Sequence, residues 1–543
     1  RKWIADNILA GDLNKARLAF RAEAGKRPSL NLDVAYSNAQ MRFMKQMPPV
    51  QDGRGYVRIQ DQAFIAAADA GYVQAPEGGR IDVAGTAFEI PDMRVRGAPA
   101  KVSLATQSTI TAALSILDQK PFEFLSKAGQ QVTLADGRAD VSGTINLPLK
   151  NKIPASEILF DIAGDISGVR STTLVEGRTL AADRLDLRAT SSGIELRGAG
   201  RIDAVPFDGE WKMPLGQKGA GSQLSGRIEL SERFVDTFNI GLPPGSVSGK
   251  GQGEITLDLK PNVAPAFALS SNLVGVGVRI DPLGWRKGAG TRASLTVRGV
   301  LGSKKTGPAR VGRLVFEGPG LSATGSVSIS AAGTLEAARF DKVKAGDWLN
   351  APITLTGRGR NVLPAVTIGG GTLDLRRIPA QNTGGVGGAV PLNVTLDRMQ
   401  VTRDIALTDF TGSFVSDRGL DGAFNGQLNG AMRITGRTIP KGGRTAVQIK
   451  SSNAGATISA AGLLKNANEG DMTLVLNPRA KALVLTAFNS VSLSALIQTP
   501  RPGNLPAMSG VTTASGDKTK RIMAEVSLTS PKTTQRRSRP LWP

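Results

Sequence analysis

Residues Val247 to Leu259 read Val-Ser-Gly-Lys-Gly-Gln-Gly-Glu-Ile-Thr-Leu-Asp-Leu. Small or apolar residues (Gly249, Gly251, Gly253, Ile255, Leu257, Leu259) alternate there with polar ones (Lys250, Gln252, Glu254, Thr256, Asp258). A period of two places the first set on one face of a β-strand and the second on the other. Glycines within such a strand mark bends or places where another group comes close. The same phrase, apolar-x-Gly-x-apolar-x-apolar, returns as Val141-Ser-Gly143-Thr-Ile145-Asn-Leu147 and Leu224-Ser-Gly226-Arg-Ile228-Glu-Leu230. Ala323-Thr-Gly325-Ser-Val327-Ser-Ile329 is a version with smaller residues, and Phe424-Asn-Gly426-Gln-Leu428 a truncated one. A chain that repeats one half-apolar strand must cover the apolar face many times over, and any function has to use that fact.

At 543 residues the chain exceeds one ordinary domain, so several domains or an extended repeat are expected. Hydrophobic residues make up 40% but aromatics only 5%, so the apolar surface is mostly aliphatic. The 65 glycines and 30 prolines punctuate short elements, because aliphatic runs lie between them. Histidine and cysteine are absent. Their absence removes imidazole acid–base chemistry, Ser-His-Asp and Cys-His nucleophile systems and nearly every zinc or iron–sulfur site. A carboxylate-only enzyme stays open on composition, but it needs two acids converging on a pocket. Pairs such as Asp136 and Asp140 sit at strand spacing among polar neighbours and read as solvated-face residues. No enzyme, cofactor or metal is expected.

The net charge of +22 attracts anions, whether nucleic acid or lipid headgroups. The basic residues are spread along strand faces, without an aromatic-interleaved groove, so nucleic acid is not expected as a partner. No window approaches the ~18 consecutive apolar residues of a membrane-spanning helix. The chain begins with Arg1 inside a predicted helix, so a fragment or processed product is expected, with any anchor or signal segment ahead of it missing.

Trp3, Ile4, Ile8 and Leu9 at helical spacing predict a packing helix over residues 1–20, broken at Gly11. Alternation starts at Leu30, with Leu32, Val34 and Tyr36, and continues through Tyr56–Gln60 and Ile81–Ile90. Thr109–Leu117 and a second segment from Pro121 to Gly129, with Phe122, Phe124 and Leu125, predict two short helices that plug a sheet end. From Leu134 to Ile378 the strand pattern dominates, at the ~8–12-residue spacing of an antiparallel meander. Asp183–Gly198 reads as a hairpin, with Leu185 and Leu187 facing Ile194 and Leu196 while Asp186, Arg188, Glu195 and Arg197 point outward. Residues 379–391 read as a flexible linker. Strands resume over Leu392–Leu464, including Ala446–Lys450 and Ala456–Ala460. Past about Arg479 the alternation weakens and the end is basic (Lys518, Lys520, Arg521, Lys532, Arg536, Arg537, Arg539). That tail reads as disordered or as the product of a shifted reading frame near residue 480.

Two glycine-rich motifs fail on context. Gly245-Ser-Val-Ser-Gly249-Lys250 is one residue short of a P-loop, and Gly251 stands where Ser or Thr should hold magnesium. Gly384-Gly-Val-Gly-Gly388 lacks the strand-to-helix setting of dinucleotide binding. Trp211, Trp285 and Trp348 read as plugs at strand ends.

Half-apolar strands bury their greasy side by pairing two sheets or by closing into a barrel. A third solution is a long, curved sheet whose concave apolar face holds something else. Aliphatic lining, glycines within strands and the lack of a helical second layer favour the third, with tandem sandwiches close behind. The fold class expected is mostly β: an elongated, curved antiparallel sheet forming a groove, with a few short capping helices.

Several phrases, in order, resemble the periplasmic region of YhdP-type members of the AsmA-like family. They are Arg1-Lys-Trp-Ile-Ala-Asp-Asn-Ile-Leu-Ala-Gly11, Met47-Pro-Pro49, Ala75-Pro-Glu-Gly-Gly79, Lys127-Ala-Gly129, Leu134-Ala-Asp-Gly-Arg138, Val205-Pro-Phe-Asp-Gly-Glu-Trp211, Leu242-Pro-Pro-Gly245, Gly346-Asp-Trp-Leu349 and Gly371-Thr-Leu-Asp-Leu-Arg376. The resemblance implies a region of this type over 1–378, a linker over 379–391 and the start of an AsmA-like C-terminal region over 392–478, with 479–543 as a tail outside the pattern. It also implies a bridge-like lipid transfer protein of a Gram-negative envelope. Such a protein is periplasmic, anchored in the inner membrane by an N-terminal segment that this chain lacks. Its partners would be phospholipid acyl chains, the inner and outer membranes and envelope proteins. The lining expected on this reading is Ile145, Leu147, Ile228, Leu230, Ile255, Leu257, Leu259, Val327 and Ile329. An extended structural or adhesin-like scaffold with closed cores is the alternative. An outer-membrane barrel ranks third, because 5% aromatics cannot supply its girdles.

Overall fold

A computed structural model describes residues 6–476 and the strands Ala482–Phe488 and Glu525–Ser527, apart from residues 26–27, 151–152, 218, 262, 304–305, 361, 380–388, 417–418, 442–443 and 465–468. The chain is mostly β and divides into two compact units. Unit 1 comprises Arg1–Gly277, Ala289–Arg292 and Arg298–Pro308; unit 2 comprises Val278–Gly288, Ala293–Val297 and Ala309–Pro543.

Unit 1 is an antiparallel meander. Its strands are Ile8–Arg21 (β1), Ser29–Met41 (β2), Val50–Gln60 (β3), Ala63–Gln74 (β4), Arg80–Asp82 (β5), Ala87–Ile90 (β6), Pro99–Thr109 (β7) and Asp136–Pro148 (β8). They continue as Leu159–Ser171 (β9), Leu180–Thr190 (β10), Gly193–Ile202 (β11), Val205–Pro214 (β12), Ser222–Ser231 (β13), Val247–Leu259 (β14) and Ala266–Ser271 (β15). The hairpin read over Asp183–Gly198 is present: Arg188 faces Glu195, Leu187 faces Leu196, and the turn is Ser191-Ser192. Helix α1 (Ile110–Leu117) interrupts the meander after β7, capped by the Thr109 hydroxyl, which accepts from the Ala112 amide at 3.0 Å. Helix α2 (Phe124–Lys127) follows, with Phe122 just ahead of it, and α3 (Glu232–Thr237) follows β13.

The division between units passes through Val276–Ile280 (β16) and Ser294–Val300 (β18), with Trp285–Lys287 (β17) between them in sequence. Unit 2 then runs Arg310–Gly318 (β19), Leu321–Ile329 (β20), Leu335–Ala345 (β21), Leu349–Thr356 (β22), Ala365–Gly369 (β23), Thr372–Asp374 (β24) and Val390–Gln400 (β25). Ala406–Ser416 (β26), Leu420–Leu428 (β27), Met432–Lys441 (β28), Arg444–Ser451 (β29), Met472–Leu476 (β30), Ala482–Phe488 (β31) and Glu525–Ser527 (β32) complete it. The pairing is antiparallel except that β25 runs parallel to both β23 and β24. Most of the linker read over 379–391 lies outside the described residues, and Val390 and Pro391 already belong to β25. Of the tail after 479 only β31 and β32 are described, paired antiparallel; its basic cluster lies outside the described residues.

Three local expectations are corrected. The helix read over residues 1–20 is helical only at Asp6 and Asn7 among the described residues, and Ile8–Arg21 is a strand. Helical spacing at Ile8 and Leu9 yields to period-two spacing at Ala16, Leu18 and Phe20, which face Val34, Leu32 and Leu30 across the ladder. The strand read over Ala456–Ala460 is part of helix α4 (Ala454–Ala460), because the Asn453 side chain caps it by accepting from the Ala456 amide at 2.8 Å. Trp211 is not a plug at a strand end. It sits inside β12 between Leu196 and Leu224. Trp285 and Trp348 do lie at strand starts: the Trp285 indole N–H donates to the Pro319 carbonyl at 2.8 Å, and its ring meets Phe316 edge-on with centroids 5.5 Å apart.

Many strand glycines lie close against a neighbouring strand's backbone, as Gly143 does against the Asp161 carbonyl, and a few make room for a ring. In unit 2 the Phe424 ring lies on Gly436, where a Cβ would stand 2.0 Å from its Cζ, and the Phe414 ring lies on Gly412 in the same way at 2.4 Å. Phe410, Phe414 and Phe424 join Val394, Leu396, Leu407, Leu428 and Ile434 in one buried core, with Leu396 only 1% exposed. Gly436→Ala should therefore displace a packed ring and cost about 1–3 kcal/mol in chemical denaturation. Gly369→Ala is its control, since the new Cβ there meets only Pro352 Cγ at 4.0 Å and should change stability by less than about 0.5 kcal/mol. Equal effects would mean that the Phe424 ring has room to move.

Candidate functional site

The register of unit 1 assembles one uncharged sheet face. One row crosses nine strands, from Thr106 through Val141, Gly164, Leu187, Leu196, Trp211, Leu224 and Leu257 to Phe267, each residue opposite the next. A parallel row runs from Ala16 through Val34, Val57, Ala66, Phe88, Val102 and Ile145 to Phe160. Opposed residues share a face, and so do residues two apart along a strand. The face therefore collects Ile145 and Leu147 on β8, Ile228 and Leu230 on β13, and Ile255, Leu257 and Leu259 on β14. Val327 and Ile329 lie in unit 2, where Val327 faces Val311 and Ala338 and Ile329 faces Leu335; both are half-buried.

The opposite face carries charge in register. Arg58 pairs with Asp33 at 2.7 Å, Arg184 with Asp165 at 2.6 Å, Arg188 with Asp161 at 3.1 Å and Arg227 with Asp208 at 3.2 Å. Arg197 and Lys212 both reach Glu210, at 2.5 and 2.7 Å. Asp140 accepts from the Gln107 amide at 2.9 Å on this side, and Asp136 is also exposed, as expected of solvated-face residues. Exposed pairs contribute little stability each. Their consequence is directional: this face is wet, so the apolar face is the one that must find cover.

Cover is complete at one set of strand ends only. Helix α1 packs through Ala112 and Ile116 on Val73, Ile81 and Val83, and through Ile110 on Ala135, Val169 and Ala182. Helix α3 closes the end of β13, where the Glu229 carboxylate accepts from Arg233 Nε at 2.6 Å and from the Ser231 hydroxyl at 2.7 Å. The hydrogen bond from Arg233 holds that carboxyl below its ordinary range against the desolvation that would raise it. At this end Ile228 and Leu230 are core, Leu230 being 5% exposed. They are packed side chains, not accessible lining. Moving away from the helices, Leu224, Ile255, Leu257, Leu259, Ile145 and Leu147 are all half-buried. At the far strand ends Leu149 and Val263 are exposed.

The face includes Leu187, Leu196, Trp211 and Phe267, which sequence reasoning did not select as lining. For Leu187 and Leu196 the signal was present in the hairpin pattern. For Trp211 it was hidden by the adjacent turn residues. Among the described residues no group of His, Cys, Asp or Glu could hold a metal, and no helix is long and apolar enough to cross a membrane. Compared with known proteins, the chain matches no family model, no curated protein and no solved structure.

Burial sets two expectations. Leu230→Ala should cost about 2–5 kcal/mol in urea denaturation, whereas Leu257→Ala should cost less, about 1 kcal/mol, because Leu257 is already partly exposed. Equal costs would place Leu257 in ordinary core. For the Glu229–Arg233 pair the folded carboxyl pKa is lowered, so its contribution is present above the unfolded value near pH 4 and is lost as pH falls through the lower folded value. Amide protection in Glu232–Thr237, measured against the unfolded-chain exchange rate at each pH, should fall over that acid window in the wild-type chain and stay unchanged in Glu229→Gln.

Proposed function

We propose that this chain is a non-enzymatic carrier of lipid acyl chains, and that the half-buried face of unit 1 is where they lie. The observation that carries this reading is the row from Val141 to Phe267: aliphatic or aromatic except at Gly164, free of charge across eight successive strands and nowhere fully covered by protein. A sandwich core at such positions would be buried. An acyl chain gains about 0.8 kcal/mol for each methylene it removes from water, and aliphatic side chains accept it without demanding a headgroup. Inside a bilayer the same methylenes are already dry. The face thus exchanges lipid with a membrane at small net cost, which suits passage more than storage.

The ordered phrases over residues 1–378 that resemble YhdP-type AsmA-like proteins support a finer version. On it, the chain moves phospholipid between the inner and outer membranes from the periplasm of a Gram-negative envelope. A closed scaffold is favoured in unit 2, where Phe410, Phe414 and Phe424 fill the face of β25–β28 themselves and Leu321, Val343, Leu349 and Ala351 form a second buried core on β20–β22. The carrier reading is therefore assigned to unit 1.

Vesicles doped with a phospholipid bearing a fluorescent acyl chain test it. The wild-type chain should extract the probe, and Leu257→Asp or Leu196→Asp should weaken extraction at least about tenfold, equal to about 1.4 kcal/mol of binding, while circular dichroism stays unchanged. Undiminished extraction by both folded variants would sink the assignment to this face.

A further inference from the structure

The apolar face of unit 1 has two borders, and they differ in charge. Across β7 to β15 the meander puts the connections after β8, β10, β12 and β14 at one border. Those after β7, β9, β11 and β13 lie at the other, where helices α1 and α3 sit. The β6–β7 connection belongs to the first border, since the Ala98 carbonyl accepts from the Leu149 amide at 2.9 Å. The lining runs out to that border uncovered. Ile145 and Leu147 lead by the period of two to the exposed Leu149, and Ile255, Leu257 and Leu259 lead to Lys260.

Exposed apolar side chains occur at both borders: Val95 and Val263 at the open one, Phe124 and Leu174 at the helical one. Charge separates them. The described residues of the helical border's connections hold four basic and six acidic side chains, whereas those of the open border hold four basic and two acidic. At the helical border Lys127 meets Glu123 at 3.6 Å, Arg178 meets Asp203 at 3.4 Å and Arg233 meets Glu229 at 2.5 Å. At the open border Arg94 meets Asp92 at 2.6 Å and Lys150 meets Glu157 at 2.5 Å. Arg96 and Lys260 are exposed and make no ion pair among the described residues. Each stands beside exposed hydrocarbon, Arg96 next to Val95 (51% exposed) and Lys260 three residues before Val263 (55% exposed).

An apolar lining that ends in a cation matches a molecule with hydrocarbon at one end and an anion at the other. A zwitterionic headgroup brings its own ammonium to its phosphate, so it gains little from a further cation. A headgroup of net negative charge has no such internal partner. Seven strand spacings separate the two cations, about 34 Å along the sheet, so they serve different lipid molecules.

We infer that the open border of unit 1 selects phospholipids of net negative charge, with Arg96 and Lys260 holding the headgroup phosphate while the acyl chains lie on the lining. The inference rests on the carrier reading and adds the class of lipid carried.

The test uses the full chain and phosphatidylcholine vesicles doped with a trace of labelled phosphatidylglycerol or of labelled phosphatidylcholine bearing the same acyl chains, so that the surface charge stays near zero. The wild-type chain should extract the phosphatidylglycerol at least about threefold better, the scale of one or two exposed ion pairs. Added salt should remove the preference and leave phosphatidylcholine extraction in place, because exposed charges are screened. Arg96→Gln combined with Lys260→Gln should do the same without added salt; both side chains are exposed, so circular dichroism should not change. Lys45→Gln combined with Lys120→Gln is the control. It removes as much charge from the helical border, where the β2–β3 connection carrying Lys45 ends at Val50 on the α1 core, and should keep the preference. Equal extraction of the two lipids by the wild-type chain overturns the inference. So does a preference that survives in the Arg96 and Lys260 variant, or one lost equally in the control, which would trace it to net charge. Extraction of neither lipid overturns the carrier reading, and the inference with it.

Discussion

Burial of one sheet face is the demand from which the rest of unit 1 follows. Side chains alternate along every strand, so register decides which set faces inward, and a slip of one residue exchanges the two sets. The ladder that brings Leu187 opposite Leu196 also brings Arg188 opposite Glu195. Apolar contact on one side and charge matching on the other therefore select the same register. Neither interaction is strong by itself, since the charges are exposed, but they agree strand after strand, and that consistency specifies a meander of this length.

The two units meet the demand differently. In unit 2 phenylalanines on β26 and β27 fill the space above facing glycines, and Leu396 and Phe410 are buried between strands. A Phe needs a bare backbone opposite it, and glycine supplies one. In unit 1 the comparable row is built of Val, Leu, one Gly, one Trp and one Phe, and the helices close only one set of strand ends. What remains is an apolar surface too continuous to be left to water. Its chemistry suits a flexible hydrocarbon chain.

Much of this was legible from residues alone. Period-two spacing located β8, β13, β14 and β20, and the hairpin at Asp183–Gly198 emerged with its partners because a two-residue turn leaves one register. Helix α1 was legible from its spacing and its Thr109 cap. The misreadings have physical causes. Ile8 and Leu9 suit either period over a short window, and only pairing with β2 decides between them. Ala456–Ala460 carries small residues that pack in a strand as well as in a helix, and the Asn453 cap was the overlooked signal. Burial was the least legible property. Leu230 and Leu257 occupy equivalent places in their phrases, yet Leu230 is buried at the strand end from which helix α3 starts and Leu257 is half-buried, and no local pattern records where a helix will settle. The parallel pairing of β25 is likewise a long-range outcome, decided by partners that alternation does not name.

Native mass spectrometry of the intact chain, purified from a Gram-negative host and followed by lipid extraction, addresses the open apolar face most directly. A face that holds acyl chains should carry phospholipid through purification, several molecules per chain, and release it on extraction with organic solvent. A chain that stays lipid-free, compact and stable would mean that protein alone covers the row from Val141 to Phe267, and the carrier reading would fall in favour of a closed structural scaffold.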